Sequence, residues 1–251
     1  MSGHSKWSTI KRKKGKADAA KGAVFTKLAR EIILAAKVGG GNPEGNFRLR
    51  IAIANAKAAN MPNDNIKRAI EKGTGGADGA NYEELTYEGY GPGGTAVIVR
   101  AMTDNRNRTA GEIRHIFSKN GGNMGESGCV SWMFKEKGVL TIEKESCKLG
   151  ADDLMLMALE LGAEDIEEEE DALEIITAPD AFQAVKEGME KEGVVFSESE
   201  ITMLSDNDVV VTDLDQAKYV LRMMDALDEH DDVQNTYTNF DVPDEIADQL
   251  G

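Results

Sequence analysis

VLTIE (139–143), ADDLMLMALEL (151–161), EDIEE (164–168), LEIIT (173–177), DAFQAVKEGMEK (180–191) and VVFSESEITML (194–204) follow one another with turn residues between them. The first, third, fourth and sixth stretches are short and rich in β-branched or alternating apolar residues, as strands are. The second and fifth repeat apolar residues three and four apart, as helices do. In order they read β-α-β-β-α-β, the succession of a ferredoxin-like split unit, expected over 138–205.

Downstream, a strand is expected at Val209–Thr212. A helix follows whose Leu214, Ala217, Leu221 and Met224 share one face, and then a strand at Asp232–Phe240. Upstream, strands at Glu84–Tyr90 and Ala96–Met102 flank the turn Gly91-Pro92-Gly93-Gly94. A helix from about Asn107 to Lys119 starts behind Asp104 or Asn105 as cap, or at the capping-box spacing of Thr109 and Glu112. Cys129–Phe134 reads as a further strand. Neither flank has enough elements to close a sheet layer. The economical solution joins 81–135 and 206–251 into one discontinuous α+β domain with 138–205 inserted.

The N-terminal part reads differently. Helical spacing begins at Asp18 and runs through Phe25, Leu28, Ile32 and Ala36 until Gly39-Gly40-Gly41. Phe47, Ile51, Ala54 and Ala58 mark a second helix ending near Asn60, and Ile66 with Ile70 a third, closed by Gly73. Residues 17–75 therefore form a helical domain. GTGGADGA (73–80) is a linker, and 1–16, without apolar periodicity, a flexible basic arm.

The 251 residues are 41% hydrophobic and 29% charged, enough for cores and against wholesale disorder. The longest apolar run, within Ile32–Ala36, is far short of the roughly 20 residues of a membrane helix. The basic N-terminus lacks the apolar core of a secretory signal. Two cysteines, Cys129 and Cys147, make no disulfide scaffold and suit a reducing cytosol. The net charge of −16 is strongly segregated: residues 1–75 hold 16 Lys/Arg against 5 Asp/Glu, 76–140 hold 7 against 8, and 141–251 hold 6 against 32. A basic head on an acidic body points to a polyanion partner at one end.

No catalytic or metal constellation emerges. His4, His115 and His230 fall in separate elements, and the cysteines lack zinc spacing. Cys129 reads as a buried, inert thiol on a strand. Glu167–Asp171 lacks the alternate spacing of a calcium loop and reads as a solvated turn. The glycines around Pro92 precede a strand rather than a helix, so they suit a hairpin better than a phosphate loop. Neither cofactor nor membrane is implied.

The basic head is another matter. Lys6, Lys11, Arg12, Lys13, Lys14 and Lys16 form a cationic arm, and Trp7 either stacks on a base or pins the arm to the body. Lys21, Lys27, Arg30, Lys37, Arg48, Arg50, Lys57, Lys67, Arg68 and Lys72 lie outside the apolar stripes of the helices. If half of these cations engage phosphate, about eight contacts give a salt slope near −7 on duplex DNA. Arg106 and Arg108, near a helix N-terminus, fit either phosphate or the acidic C-terminal third of the chain. No recognisable helix-turn-helix reader accompanies them beyond Asn63 and Asn65. That absence favours a target recognised by shape and backbone.

At these residues the sequence resembles the YebC/PmpR family. The resemblance rests on Gly3-His4-Ser5-Lys6-Trp7, on NFRLRIAIANAKAANMPNDNIKRAIEKGTG (46–75), on YEGYGPGG (87–94), and on TDNRNRT (103–109) with the glycine-rich 121–128. It runs the full length, with Thr9 departing from the Asn of family arms. It implies an α+β multidomain protein: an N-terminal three-helix domain plus two ferredoxin-like α+β domains, one inserted in the other. It also implies a non-enzymatic, cytoplasmic regulator of gene expression linked to nucleic acid, with no catalytic residues to transfer. The expectation is a monomeric, DNA-binding regulator of transcription, whose acidic domains present a surface to a protein partner. The alternative is a ribosome-associated translation factor that binds rRNA or tRNA and aids synthesis of proline-rich stretches. The mitochondrial relative of the family, a translational activator of cytochrome oxidase, stands on that side.

Overall fold

The structure, a computed structural model, describes residues 21–75, 82–146, 149–168 and 172–250. The expected arm at 1–16, most of the 73–80 linker, Cys147 and the acidic run at 169–171 lie outside the described residues. The chain separates into two compact units, Trp132–Asp206 and the remainder, Ser2–Ser131 with Asn207–Gly251.

The larger unit begins with α1 (Lys21–Gly39), α2 (Phe47–Ala58) and α3 (Asn63–Thr74). Their shared core is Ile32, Ile33, Ala35 and Ala36 from α1, Leu49, Ala52 and Ala56 from α2, and Ile66 and Ala69 from α3. So many alanines let helix backbones approach closely. Asn46 locks the first corner: its Oδ1 accepts from Leu49 N at 3.0 Å, capping α2, while Nδ2 donates to Ala35 O at 2.7 Å and Gly40 O at 2.8 Å. Gly73 does not close α3, which runs on to Thr74. A Cβ there would lie 2.4 Å from Ile33 O and 2.7 Å from Ala36 Cβ, so close packing on α1 demands glycine.

The same unit continues with β1 (Glu83–Tyr90), β2 (Ala96–Thr103), α4 (Arg106–Lys119) and β3 (Asn123–Met124). The hairpin expected at Gly91–Gly94 is present: Gly91 N donates to Thr95 O at 2.7 Å. Gly93 and Gly94 take φ of 72° and 79°, a conformation that favours glycine. Asn105 caps α4, its side chain accepting from Arg108 N at 3.1 Å. The strand expected at Cys129–Phe134 is replaced by a loop and a short 3-10 turn, Ser131–Met133, so Cys129 is half-buried in that loop.

After the inserted unit come β8 (Val209–Val210), α7 (Leu214–Glu229), β9 (Val233–Thr238), β10 (Phe240–Asp241) and α8 (Asp244–Leu250). The last helix, opened by the first-turn acids Asp244 and Glu245, is not among the elements expected from the sequence. β9 pairs antiparallel with β2, giving a sheet of order β3-β1-β2-β9, and the expected last strand breaks so that β10 pairs with β8. Val97, Val99 and Ala101 pack with Ile113 and Phe117 of α4 and Val220 and Met224 of α7.

The smaller unit holds β4 (Phe134–Glu143), α5 (Ala151–Leu161), β5 (Asp165–Glu168), β6 (Ala172–Thr177), α6 (Phe182–Lys191) and β7 (Glu198–Ser205). Residues 194–197 precede β7 as irregular chain, whereas a strand was expected there. The antiparallel order β5-β6-β4-β7 is that of the ferredoxin-like split unit. The larger unit's sheet has the same layout, with β3, β1, β2 and β9 in the places of β5, β6, β4 and β7. Its chain order is permuted, because the strand equivalent to β6 comes first.

Candidate nucleic-acid interface

Of the residues expected to meet phosphate, Lys6, Trp7, Lys11, Arg12, Lys13, Lys14 and Lys16 lie outside the described residues. Lys21 opens α1, and its side chain is likewise outside them. The structure sorts the rest into two sets.

One set faces solvent around a groove between α2 and α3. Arg50 and Lys57, two turns apart on α2, and Lys67 of α3 rim it, while Pro43, Ile53, Ala54 and Ile66 supply an apolar floor. The groove is open and holds about 510 Å³. Arg50 donates to the carbonyls of Pro43 and Glu44 at 3.4 and 3.3 Å, and its guanidinium lies 6.0 Å from the Phe47 ring. Among the described residues no ion pair engages Arg50, Lys57, Lys67 or Arg68. An apolar floor with a cationic rim suits a sugar-phosphate backbone with its bases or sugars turned inward. Arg68 and Lys72 lie on another face of α3. They line a second cleft with Phe25, Ala29, Ile33 and Tyr82, where Lys72 Nζ sits 5.7 Å from the Tyr82 ring.

The other set is engaged within the molecule. Arg48 bonds Glu31 at 2.7 Å and Glu84 at 3.2 Å. Burial alone would lower its pKa, but the hydrogen bonds and charges of Glu31 and Glu84 raise it above the ordinary arginine value. Lys27 donates to the Asp228 carbonyl and Arg30 to that of Asp231. Arg30 also pairs with the Asp232 carboxylate at 3.2 Å and lies 5.6 Å from the Tyr82 ring. Arg108 reaches the same carboxylate at 2.7 Å, choosing the acidic third of the chain over the free position that would suit phosphate. Arg106 stays exposed at the start of α4. The structure therefore brings together Arg50, Lys57 and Lys67, and separates them from Lys27, Arg30, Arg48 and Arg108.

Asp232 is the residue the sequence did not single out. Its side chain is 5% exposed and takes a further hydrogen bond, 2.7 Å, from the Thr109 hydroxyl. Burial pushes its pKa up, but the hydrogen bonds from Arg108 and Thr109 and the Arg108 charge outweigh that and hold it below the usual aspartate value. Glu88 is a second such anchor. Its carboxylate accepts from Gly128 N at 2.7 Å, Val130 N at 2.9 Å and Ser131 N at 2.8 Å. Burial again acts upward, and these backbone donors draw the pKa down. Both acids lie in stretches rich in other carboxylates, so composition could not distinguish them. Burial raises the pKa of Cys129, and the neighbouring Glu88 charge acts in the same direction.

Glu112, His230 and Asp232 place one ligand atom each within 4.8 Å of one another. The surroundings do not suit a cation. Asp232 already faces two guanidinium groups. His230 Nδ1 accepts from Asp232 N at 3.1 Å, which leaves the proton on Nε2, 2.9 Å from Glu112. Both ring nitrogens are thus occupied.

A helical bundle with a basic groove, ahead of two antiparallel-sheet α+β units of like layout, defines the class: a multidomain α+β protein with its cations and anions at opposite ends of the chain. Residues 5–76 match the model of the TACO1/YebC protein N-terminal domain, and residues 82–240 that of the TACO1/YebC second and third domain. The chain belongs to the TACO1/YebC family. A "probable transcriptional regulatory protein" of Desulfitobacterium hafniense is 58% identical over 249 residues, covering 99% of both chains. One of the same name from Pelotomaculum thermopropionicum is 59% identical over 244 residues, 97% of this chain and 100% of that one. The crystal structure of a conserved hypothetical protein from Aquifex aeolicus is similar with a TM-score of 0.82 and 48% identity, covering 90% of this chain and 93% of that one. The Desulfitobacterium and Pelotomaculum relatives carry the name of regulators. No helix among the described residues is long and apolar enough to cross a membrane.

Proposed function

We propose that this protein is a non-enzymatic, cytoplasmic regulator of gene expression that binds nucleic acid through its helical part, acting as a monomer on DNA to regulate transcription. The observation that carries the reading is the α2–α3 groove, where Arg50, Lys57 and Lys67 surround an apolar floor. The domain plan we attach to it is a basic arm at 1–16, a helical domain at 17–75, a discontinuous α+β domain at 81–135 and 206–251, and an inserted domain at 138–205. The arm would supply further phosphate contacts, and the acidic remainder would repel the same polyanion and so orient it. The names of the relatives support transcription.

A second reading, a ribosome-associated factor, draws on one feature. The groove's rim is cationic, with Asn63 as its uncharged polar lining residue, which suits backbone and shape better than base edges. Titrating the full chain and its Arg50→Ala/Lys57→Ala/Lys67→Ala variant against promoter duplex, unrelated duplex and purified ribosomes over a range of salt separates these readings. Loss of three phosphate contacts is expected to reduce the magnitude of the DNA salt slope by about 2.7. An unchanged slope would remove the groove from the interface. A promoter preference of roughly a thousandfold supports transcription, whereas tighter, groove-dependent ribosome binding supports translation.

A further inference from the structure

Within the smaller unit, α5 has two opposed faces. Leu154 and Ala158 are buried in its core, at 2% and 0% exposure. At about 100° per residue, Leu159, Asp152, Leu156, Glu160 and Asp153 follow one another around the opposite side within about 120° of arc. Leu156 is 61% exposed and Leu159 53% exposed. A ridge of two leucines one turn apart, with Asp152 between them around the helix and Glu160 and Asp153 along one flank, is not what a merely solvated helix face needs.

Its charge narrows the occupant. Residues 132–206 carry 6 Lys/Arg against 21 Asp/Glu. Nucleic acid and anionic lipid surfaces are repelled by such a unit, and so is a second copy of it. A cationic partner is attracted, and an i, i+3 pair of leucines matches the anchor spacing of an amphipathic helix. We infer that the α5 ridge of Leu156 and Leu159 docks a basic amphipathic helix of a partner protein, with Asp152, Asp153 and Glu160 receiving its lysines or arginines. The inference stands on the smaller unit alone and does not depend on the nucleic-acid groove.

The test uses the full chain and two labelled helical peptides of equal positive charge, one with leucines at i, i+3 and i+4 spacing between its lysines, the other with glutamine in place of every leucine. At near-physiological salt, fluorescence anisotropy is expected to show at least tenfold tighter binding of the leucine peptide. Leu156→Gln/Leu159→Gln is expected to erase that preference while leaving the circular-dichroism melt unchanged, since both side chains are exposed. Equal binding of the two peptides, or a preference that survives the double substitution, would overturn the inference. So would self-association of the wild type, seen in sedimentation and abolished by the same substitution, because it would assign the ridge to a second copy.

Discussion

Asp232→Asn isolates the charge at the junction of α1, α4 and β9, because asparagine keeps the volume and removes the carboxylate. In the native chain that carboxylate meets Arg30 at 3.2 Å, Arg108 at 2.7 Å and the Thr109 hydroxyl at 2.7 Å, and it is 5% exposed. Removing one partner of a fully buried pair costs about 3–5 kcal/mol. Arg108 is 44% exposed, so water recovers it and its share is small. Arg30 is 14% exposed and keeps its bond to the Asp231 carbonyl. The loss is therefore set by Arg30 and the Thr109 hydrogen bond, about 2–3 kcal/mol. At roughly 2–4 °C per kcal/mol for a chain of this size, the melting temperature falls by about 4–12 °C. Urea denaturation followed by far-ultraviolet circular dichroism measures the free energy, and amide exchange along α1 locates it. The pH dependence has a definite sign. The Asp232 pKa is lower folded than unfolded, so its stabilisation is complete above the unfolded value near 3.9 and disappears as pH falls through the folded one. The variant should lack that part of the acid limb. A loss under about 0.5 kcal/mol, or unaltered exchange in α1, would refute the idea that this carboxylate holds α1 in place.

Two other changes test neighbouring features. Glu88→Gln turns an amide NH2 toward backbone donors now served by a carboxylate, so a loss of about 1–3 kcal/mol is expected, with faster amide exchange at Gly128, Val130 and Ser131. Because the Glu88 pKa is depressed, wild type and variant should converge in stability as pH falls below the usual glutamate range; a constant difference down to pH 2 would contradict this. Gly73→Ala gains helix propensity of up to about 1 kcal/mol but drives a Cβ to 2.4 Å from Ile33 O. Overpacking against backbone should win by about 1–2 kcal/mol, and a raised melting temperature would show that α1 and α3 can separate at no cost.

Strand and helix types along 134–205 were legible because each element carries its own period: Leu140 and Ile142 on one face of β4, and Leu154 and Ala158 on one face of α5. What escaped was set by distant contacts. Cys129–Phe134 has strand-like residues, yet Glu88 gathers its backbone N–H groups into a loop. Gly73 looks like a stop signal, yet it is a packing residue whose reason lies on α1. The groove was half legible. Sequence gave Arg50, Lys57 and Lys67 as cations off the apolar stripe, but Arg30 and Arg48 had the same appearance. Only the approach of Asp232, Glu31 and Glu84 distinguishes them.

That distinction turns the charge segregation into geometry. A basic head and an acidic tail in one chain could neutralise each other throughout, leaving no polyanion site. Here the acidic turn at 228–232 engages Lys27 and Arg30 of α1 and Arg108 of α4, the cations that face the α+β part. Arg50, Lys57 and Lys67 of the α2–α3 groove form no ion pair with that turn, and the screening of Coulomb attraction in salt water leaves them available. The acidic turn thus accounts for Lys27, Arg30 and Arg108, Glu31 and Glu84 account for Arg48, and Arg50, Lys57 and Lys67 are in no ion pair among the described residues.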